Sequence, residues 1–256
     1  MPIHRTFQGC TINKLLLLHE IIVVKGTLYL IPVTLGTIEF EHVIPTGVIE
    51  IAKKIRSFIV EDVRSARRFL RSIDRKFPID SSEFLVLNEH TRPAEYDSLL
   101  ASLMDGKDTG LMSEAGVPGI ADPGSPVVSL AHKHGIRVVP LTGPSSIILS
   151  LMASGLNGQS FTFHGYIPIK QPARTDKIKL IEAKAAGGES QILIETPYRN
   201  QKLIEDILRV CRPETEVCIA VDITGSNESI VTKSVSDWRK NRPVLDKLPA
   251  IFIIGR

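Results

Sequence analysis

The sequence predicts an α/β protein of two domains, the first built on a largely parallel sheet and the second on a mixed one. Three observations lead there. Short apolar runs alternate with amphipathic segments through the first half, the pattern of strands joined by crossover helices. Pro140, Gly143 and Pro144 then punctuate the chain within five residues, as a domain junction does. Beyond them, the last three apolar runs follow one another with little helical sequence between, which suits a mixed sheet.

In chain order, the first five strands fall at Thr27–Val33, Phe58–Glu61, Phe84–Asn88, Thr109–Ser113 and Arg137–Leu141. Amphipathic helices are expected at 46–56, 63–75, 94–105 and 125–134. After the junction come a helix at Ser145–Ser154 and strands at 161–166, 190–195, 216–222, 229–235 and 250–255. Helices at 174–186 and 199–211 separate the first three of these strands. The expected domains are 26–141 and 142–256.

The 256 residues suffice for two small domains, and 43% hydrophobic with 23% charged residues is ordinary globular usage. A net charge of +3 does not by itself demand nucleic acid. Cys10, Cys211 and Cys218 are odd in number and form no C-x-x-C pair, which argues against a disulfide framework or zinc knuckle and for a reducing cytoplasm. In residues 1–25, the apolar runs Leu15–Leu18 and Ile21–Val24 are broken by His19 and Glu20. That is shorter than the ~20 residues of a membrane span, and no small-residue cleavage site follows. These residues are expected to be an irregular extension, with no membrane partner.

No two glycines are spaced i, i+2, so the dinucleotide fingerprint is absent, as is the phosphate-binding G-x-x-x-x-G-K. H-E-x-x-H, G-x-S-x-G and clustered Cys/His are also missing, and no metal is expected. Four strand-end segments remain. The most distinctive, Ser113–Gly124, holds three glycines and two prolines in twelve residues between a strand and a helix. Its small side chains let a ligand reach the backbone, at the edge where open α/β sheets bind ligands. Thr142-Gly-Pro-Ser-Ser146 precedes a helix, where Ser145 or Ser146 either caps that helix or leaves its amides to bind a carboxylate. Val33-Thr-Leu-Gly36 follows the first strand. Ile194-Glu-Thr-Pro-Tyr-Arg199 follows a later one, with Tyr198 and Arg199 as either ligand contacts or a surface pair.

In order and wording these segments resemble the tetrapyrrole methylase superfamily. Within it, the chain is similar to the ribosomal small-subunit RNA 2′-O-methyltransferases that modify a cytidine ribose. Glu114-Ala-Gly-Val-Pro-Gly-Ile-Ala-Asp-Pro-Gly124 matches that family's long cofactor loop almost throughout, and Leu141-Thr-Gly-Pro-Ser-Ser146 its interdomain loop. Ala153-Ser-Gly-Leu156, Phe163-His-Gly-Tyr-Ile-Pro168 and Glu195-Thr-Pro-Tyr-Arg199 follow in order, so the likeness runs from about Thr27 to the C-terminus. The resemblance implies two α/β domains with S-adenosylmethionine in the cleft between them, a homodimer, and ribosomal RNA as substrate. It implies that Leu35, Gly36, Ser113, Glu114, Ala115, Gly116, Ile120, Ala121, Asp122, Pro123, Gly143, Pro144, Ser145, Ser146 and Tyr198 line the cofactor.

The chain departs from the family at several places. It has Thr34-Leu-Gly-Thr37 for Pro-Ile-Gly-Asn, Glu61-Asp-Val-Arg64 for Glu-Asp-Thr-Arg, and Val221-Asp-Ile-Thr-Gly225 for Arg-Glu-Leu-Thr-Lys. After the third strand, Asn88-Glu-His-Thr91 replaces a His-Glu stretch ending in Asn. The cofactor half of the likeness is strong, and the substrate half is blurred.

Methyl transfer from a sulfonium is a direct displacement that needs alignment, and a ribose hydroxyl benefits from a base or a charge stabiliser. Glu61, Asp62, Glu89 and His90 are the strand-end candidates, beside Glu114; Asp62 also fits a helix cap. Arg64, Arg68, Arg71 and Arg75 recur at i, i+4, i+7 and i+11, one face of the 63–75 helix. Such a row suits a phosphate backbone, or is a solvated face. Three functions stay open: an RNA ribose methyltransferase, a methyltransferase of a tetrapyrrole or other small molecule, and a protein that binds the cofactor without catalysis.

Overall fold

In the computed structural model, which describes residues 24–36, 39–245 and 247–256, ten strands form two five-stranded sheets. Most of the expected N-terminal extension, with Cys10, lies outside the described residues, as does Thr37. The first sheet contains β1 (Thr27–Leu30), β2 (Ser57–Val60), β3 (Glu83–Val86), β4 (Thr109–Met112) and β5 (Arg137–Pro140). Its order is β3-β2-β4-β1-β5, and every pairing is parallel. Central parallel strands are covered on both faces, which is why β2 and β4 are buried at every position. Phe58 and Val60 point into one apolar cluster, with Leu70 and Phe77; Ile59 points into the other, with Leu28 and Leu103. The crossovers are α1 (Thr46–Ala52), α2 (Val63–Ile73), the short α3 (Tyr96–Leu99) and α4 (Ala101–Met104), and α5 (Ser125–Lys133).

The second sheet contains β6 (Phe161–Phe163), β7 (Ser190–Glu195), β8 (Glu216–Val221), β9 (Ser229–Ser234) and β10 (Ala250–Gly255), in the order β6-β7-β10-β8-β9. Only β6 and β7 pair in parallel; the other neighbours are antiparallel, so the sheet is mixed. Helices α7 (Ala173–Ala186), α8 (Asn200–Val210) and α9 (Val235–Lys240) close one face over Leu193, Ile219 and Phe252. The other face is closed by α6 (Ser146–Ser154), which packs Ile147 and Leu151 on Ile192, Cys218 and Ile253. Among the described residues, no helix is long and apolar enough to cross a membrane.

Several elements differ from the sequence reading. Helix α2 stops at Ile73, because Asp74 turns out of helical geometry at φ −153°, ψ 109°. The 94–105 segment breaks in two at Leu100. Helix α9 was not foreseen, although its cap is written in the sequence: Ser234 Oγ accepts the Asp237 N–H at 3.1 Å, the first half of an S-x-x-D capping pattern. Its Trp238 then donates Nε1–H to Val217 O at 2.9 Å, pinning the helix to the sheet.

Candidate active site

Three loops meet at the carboxyl end of the parallel sheet. Val33 N donates to Gly116 O at 2.9 Å, which joins the loop after β1 to the one after β4. Gly116 has φ +71°, and a Cβ there would lie 2.9 Å from Leu35 Cδ2 and 3.0 Å from Pro144 O. Only glycine lets these three segments close on one point. Gly143 packs just as tightly on Pro32. The long loop is stapled internally: the Asp122 carboxylate accepts N–H groups from Gly119 at 2.8 Å and Gly124 at 2.7 Å. Ser113 Oγ donates to Ala115 O at 3.2 Å, and Ala121 holds a left-handed φ of 61°.

These loops face the second sheet across a cavity of about 380 Å³. Leu35, Gly36, Glu114, Ala115 and Ser146 line it from the loops, and Tyr166, Glu195 and Asp222 from the far side. An adjoining hollow of about 190 Å³ shares Leu35, Gly36 and Glu114 with it and adds Ser113 and Arg68. Two larger hollows, about 620 and 560 Å³, lie against α8 and at the amino edge of the parallel sheet. The carboxyl-edge cavity is the better candidate, since that edge is where crossover loops gather in an open α/β sheet. Ser145 occupies the N-cap position of α6 at φ −124°, ψ 118°, yet its side chain makes no capping bond. The first amides of α6 are thus left without a side-chain cap beside the cavity-lining Ser146.

The candidate acids have different surroundings. Glu61 accepts the Glu114 N–H at 3.4 Å; burial raises its pKa, the Glu114 amide opposes this, and the charges of Glu114, Asp122 and Asp62 add to the rise. Asp62 caps α2 by accepting the Ser65 N–H at 2.7 Å, and that bond lowers its pKa. Glu89 and His90 are exposed and lie 3.6 Å apart in the loop after the edge strand β3. They do not line the cavity.

Arg64, Arg68 and Arg71 are exposed on α2, and Arg68 lines the smaller hollow. Arg75 lies past the helix end, where its carbonyl accepts from Arg71 Nη1 at 2.7 Å. Ile120 and Tyr198 are exposed and do not line the cavity, nor do Gly116, Ala121, Asp122, Pro123, Gly143, Pro144 and Ser145.

Sequence reasoning missed the far wall. Tyr166, Glu195 and Asp222 belong to segments that the sequence singles out, but these three residues are not among the expected site residues. Asp222, at φ 48°, reaches across so that a Cβ on Gly36 would sit 3.1 Å from its Oδ1. Behind Glu195 lies a buried ion network. Arg174, 1% exposed, is 3.2 Å from Asp206 and 3.8 Å from Glu195, and Glu195 also pairs with Arg199 at 2.7 Å.

A parallel sheet whose carboxyl-end loops close a cavity against a mixed sheet is the arrangement of a known enzyme class. Residues 47–238 match the tetrapyrrole (corrin/porphyrin) methylases, and the chain belongs to that family of methyltransferases. Among its relatives are the ribosomal RNA small subunit methyltransferase I of Vibrio cholerae, 33% identical over 79% of this chain and 67% of the relative, and that of Haemophilus influenzae, 29% identical over 90% and 78%. The fold is shared with the uroporphyrin III C-methyl transferase of Thermus thermophilus, with TM-score 0.57 and 14% identity over 90% of this chain and 98% of that one. The methyltransferase CobJ gives TM-score 0.59 at 14% identity, over 90% and 94%.

Proposed function

We propose that this chain is an S-adenosylmethionine-dependent methyltransferase that modifies a ribose 2′-hydroxyl of ribosomal RNA, acting in the cytoplasm as a homodimer. The observation that carries the reading is that Arg68, from the arginine row, lines the smaller hollow together with Leu35, Gly36, Ser113 and Glu114 of the cofactor loops. The naming of the relatives as ribosomal RNA small subunit methyltransferases supports the substrate; the homodimer is carried over from the family resemblance of the sequence, and the compartment from its unpaired cysteines.

The residues present fit the cofactor. A cavity of about 380 Å³ is within the roughly 300–1,000 Å³ usual for small-molecule sites. The uncapped amides of α6 suit a carboxylate, and the Glu114 charge in the cavity wall suits a cationic sulfur. Gly36 and Ala115 keep the walls free of bulk. When bound, the cofactor supplies a methyl group activated on a sulfonium.

The rest belongs to the protein. The loops align the hydroxyl with that methyl group, and the outer arginines hold the phosphates of the strand that carries it. Glu61 lines neither hollow, but it accepts the N–H of Glu114, which lines both; on that placement and on its pKa raised by burial it is the group we assign to accept the hydroxyl proton. Asp62 is occupied by capping. Mass spectrometry of small-subunit ribosomal RNA, prepared with and without this protein, tests the reading. One additional ribose methyl is expected. Unchanged RNA, with methyl transfer to a tetrapyrrole or other small molecule instead, overturns it.

A further inference from the structure

Tyrosine is a large side chain to leave in water, and two stand exposed near the cavity: Tyr166, which lines it, at 58%, and Tyr198, next to the cavity-lining Pro197, at 68%. Both are held in place. Ile194 N donates to Gly165 O at 3.1 Å, so Tyr166 sits alongside the end of β7, where it lines the cavity. Tyr198 lies one turn further on and is braced by Arg199. The Arg199 guanidinium lies 5.1 Å from the Tyr198 ring centre and donates to the Tyr198 hydroxyl at 3.1 Å. Arg199 is itself anchored on buried Glu195, which accepts its Nε–H at 2.8 Å and the Thr196 N–H at 2.8 Å. Glu195 in turn faces the buried Arg174. A buried ion network thus ends in the solvent-facing Tyr198 ring, while Tyr166 is set beside the end of β7 by its backbone.

We infer that Tyr166 and Tyr198 form a stacking platform for an unpaired nucleobase of the RNA, on the far wall from the arginine row. This rests on the RNA reading above. Every base has a π-face, and single-stranded RNA is held by stacking on aromatic rings whose positions are fixed. With the base on the platform and the phosphates on α2, the strand would lie across the cavity opening, and the ribose between base and phosphate would be turned toward the cavity.

The test compares Tyr166→Leu and Tyr198→Leu with Tyr166→Phe and Tyr198→Phe in the full chain. The substrate is a single-stranded fragment of small-subunit ribosomal RNA, and cofactor affinity is read separately by calorimetry. Each leucine variant should raise the RNA KM roughly 5- to 150-fold, the loss expected for one unstacked base. The RNA KM is read at saturating cofactor. The phenylalanine variants should behave as the parent, and Tyr198→Leu, which lies outside the cavity lining, should leave cofactor affinity unchanged. A leucine pair with parental KM overturns the platform and leaves the RNA reading intact. Loss of cofactor affinity in Tyr198→Leu overturns it by assigning that ring to the cofactor. A parent chain that neither binds nor methylates the fragment overturns the platform and the RNA reading together.

Discussion

Arg174 and Arg68 carry the same charge in opposite settings. In the second domain, Arg174 is sealed among Glu195 and Asp206; in the first, Arg68 stands in water on α2 at the edge of the active cleft. A buried ion cluster gains little over an apolar one but becomes costly once a member is lost. An exposed charge contributes almost nothing to folding and is free for a partner. The second domain therefore spends its charges on architecture, and the first offers them to a ligand.

The sharpest way to break this contrast is Arg174→Met. It removes the buried cation between two carboxylates, leaving Glu195 with Arg199 and Asp206 with Arg209, and should cost up to about 3–5 kcal/mol, read as a lower denaturant midpoint at unchanged slope. An unchanged midpoint would show the cluster to be dispensable. Replacing Arg64, Arg68 and Arg71 together by Gln should leave stability within about 0.5 kcal/mol per site. The same triple variant should weaken RNA binding and flatten its salt dependence by about two to three contacts, each roughly 0.7–0.9 log units per decade of salt. A triple variant with the parental salt slope would remove the phosphate role.

Two smaller effects lie within the first domain. Gly116→Ala places a Cβ against Leu35 and Pro144 at a left-handed φ, and should cost about 1–3 kcal/mol while lowering cofactor affinity in calorimetry. Full affinity in this variant would mean that the loop junction does not shape the site. Asp62→Ala removes only a cap and should cost about 1 kcal/mol with cofactor affinity intact. The smallest effect is on pH. Because Glu61 has a raised pKa in the folded state, its ionisation is disfavoured by folding, and stability is lost as pH rises through that pKa. Glu61→Gln, which mimics the protonated form, should therefore be the more stable protein at neutral pH and match the parent in acid. Chemical denaturation across pH measures this, and a gap that widens in acid would contradict it.

The sequence announced some of this through local chemistry. Buried parallel strands read as apolar runs, so β2 and β4 were visible, and glycines with prolines marked the loop that Gly116 and Asp122 hold in shape. Asp62 could be read as a cap because capping spans only three residues. What stayed hidden depends on contacts between distant segments. That β3 lies at the sheet edge, carrying Glu89 and His90 away from the cleft, follows from strand order, which spacing does not encode. That Tyr166, Glu195 and Asp222 form the far wall follows from how the second sheet faces the first. The 94–105 periodicity promised one helix where there are two, and nothing in it flags the break at Leu100.

Ser146 begins a helix that is packed on the second sheet, while Leu35 belongs to the first, and both line the same cavity. A small molecule seated there grips both halves of the chain at once. It acts as a rivet: its binding free energy is lost if either half unfolds, so saturation should merge their melting into a single transition and raise its midpoint with the logarithm of ligand concentration.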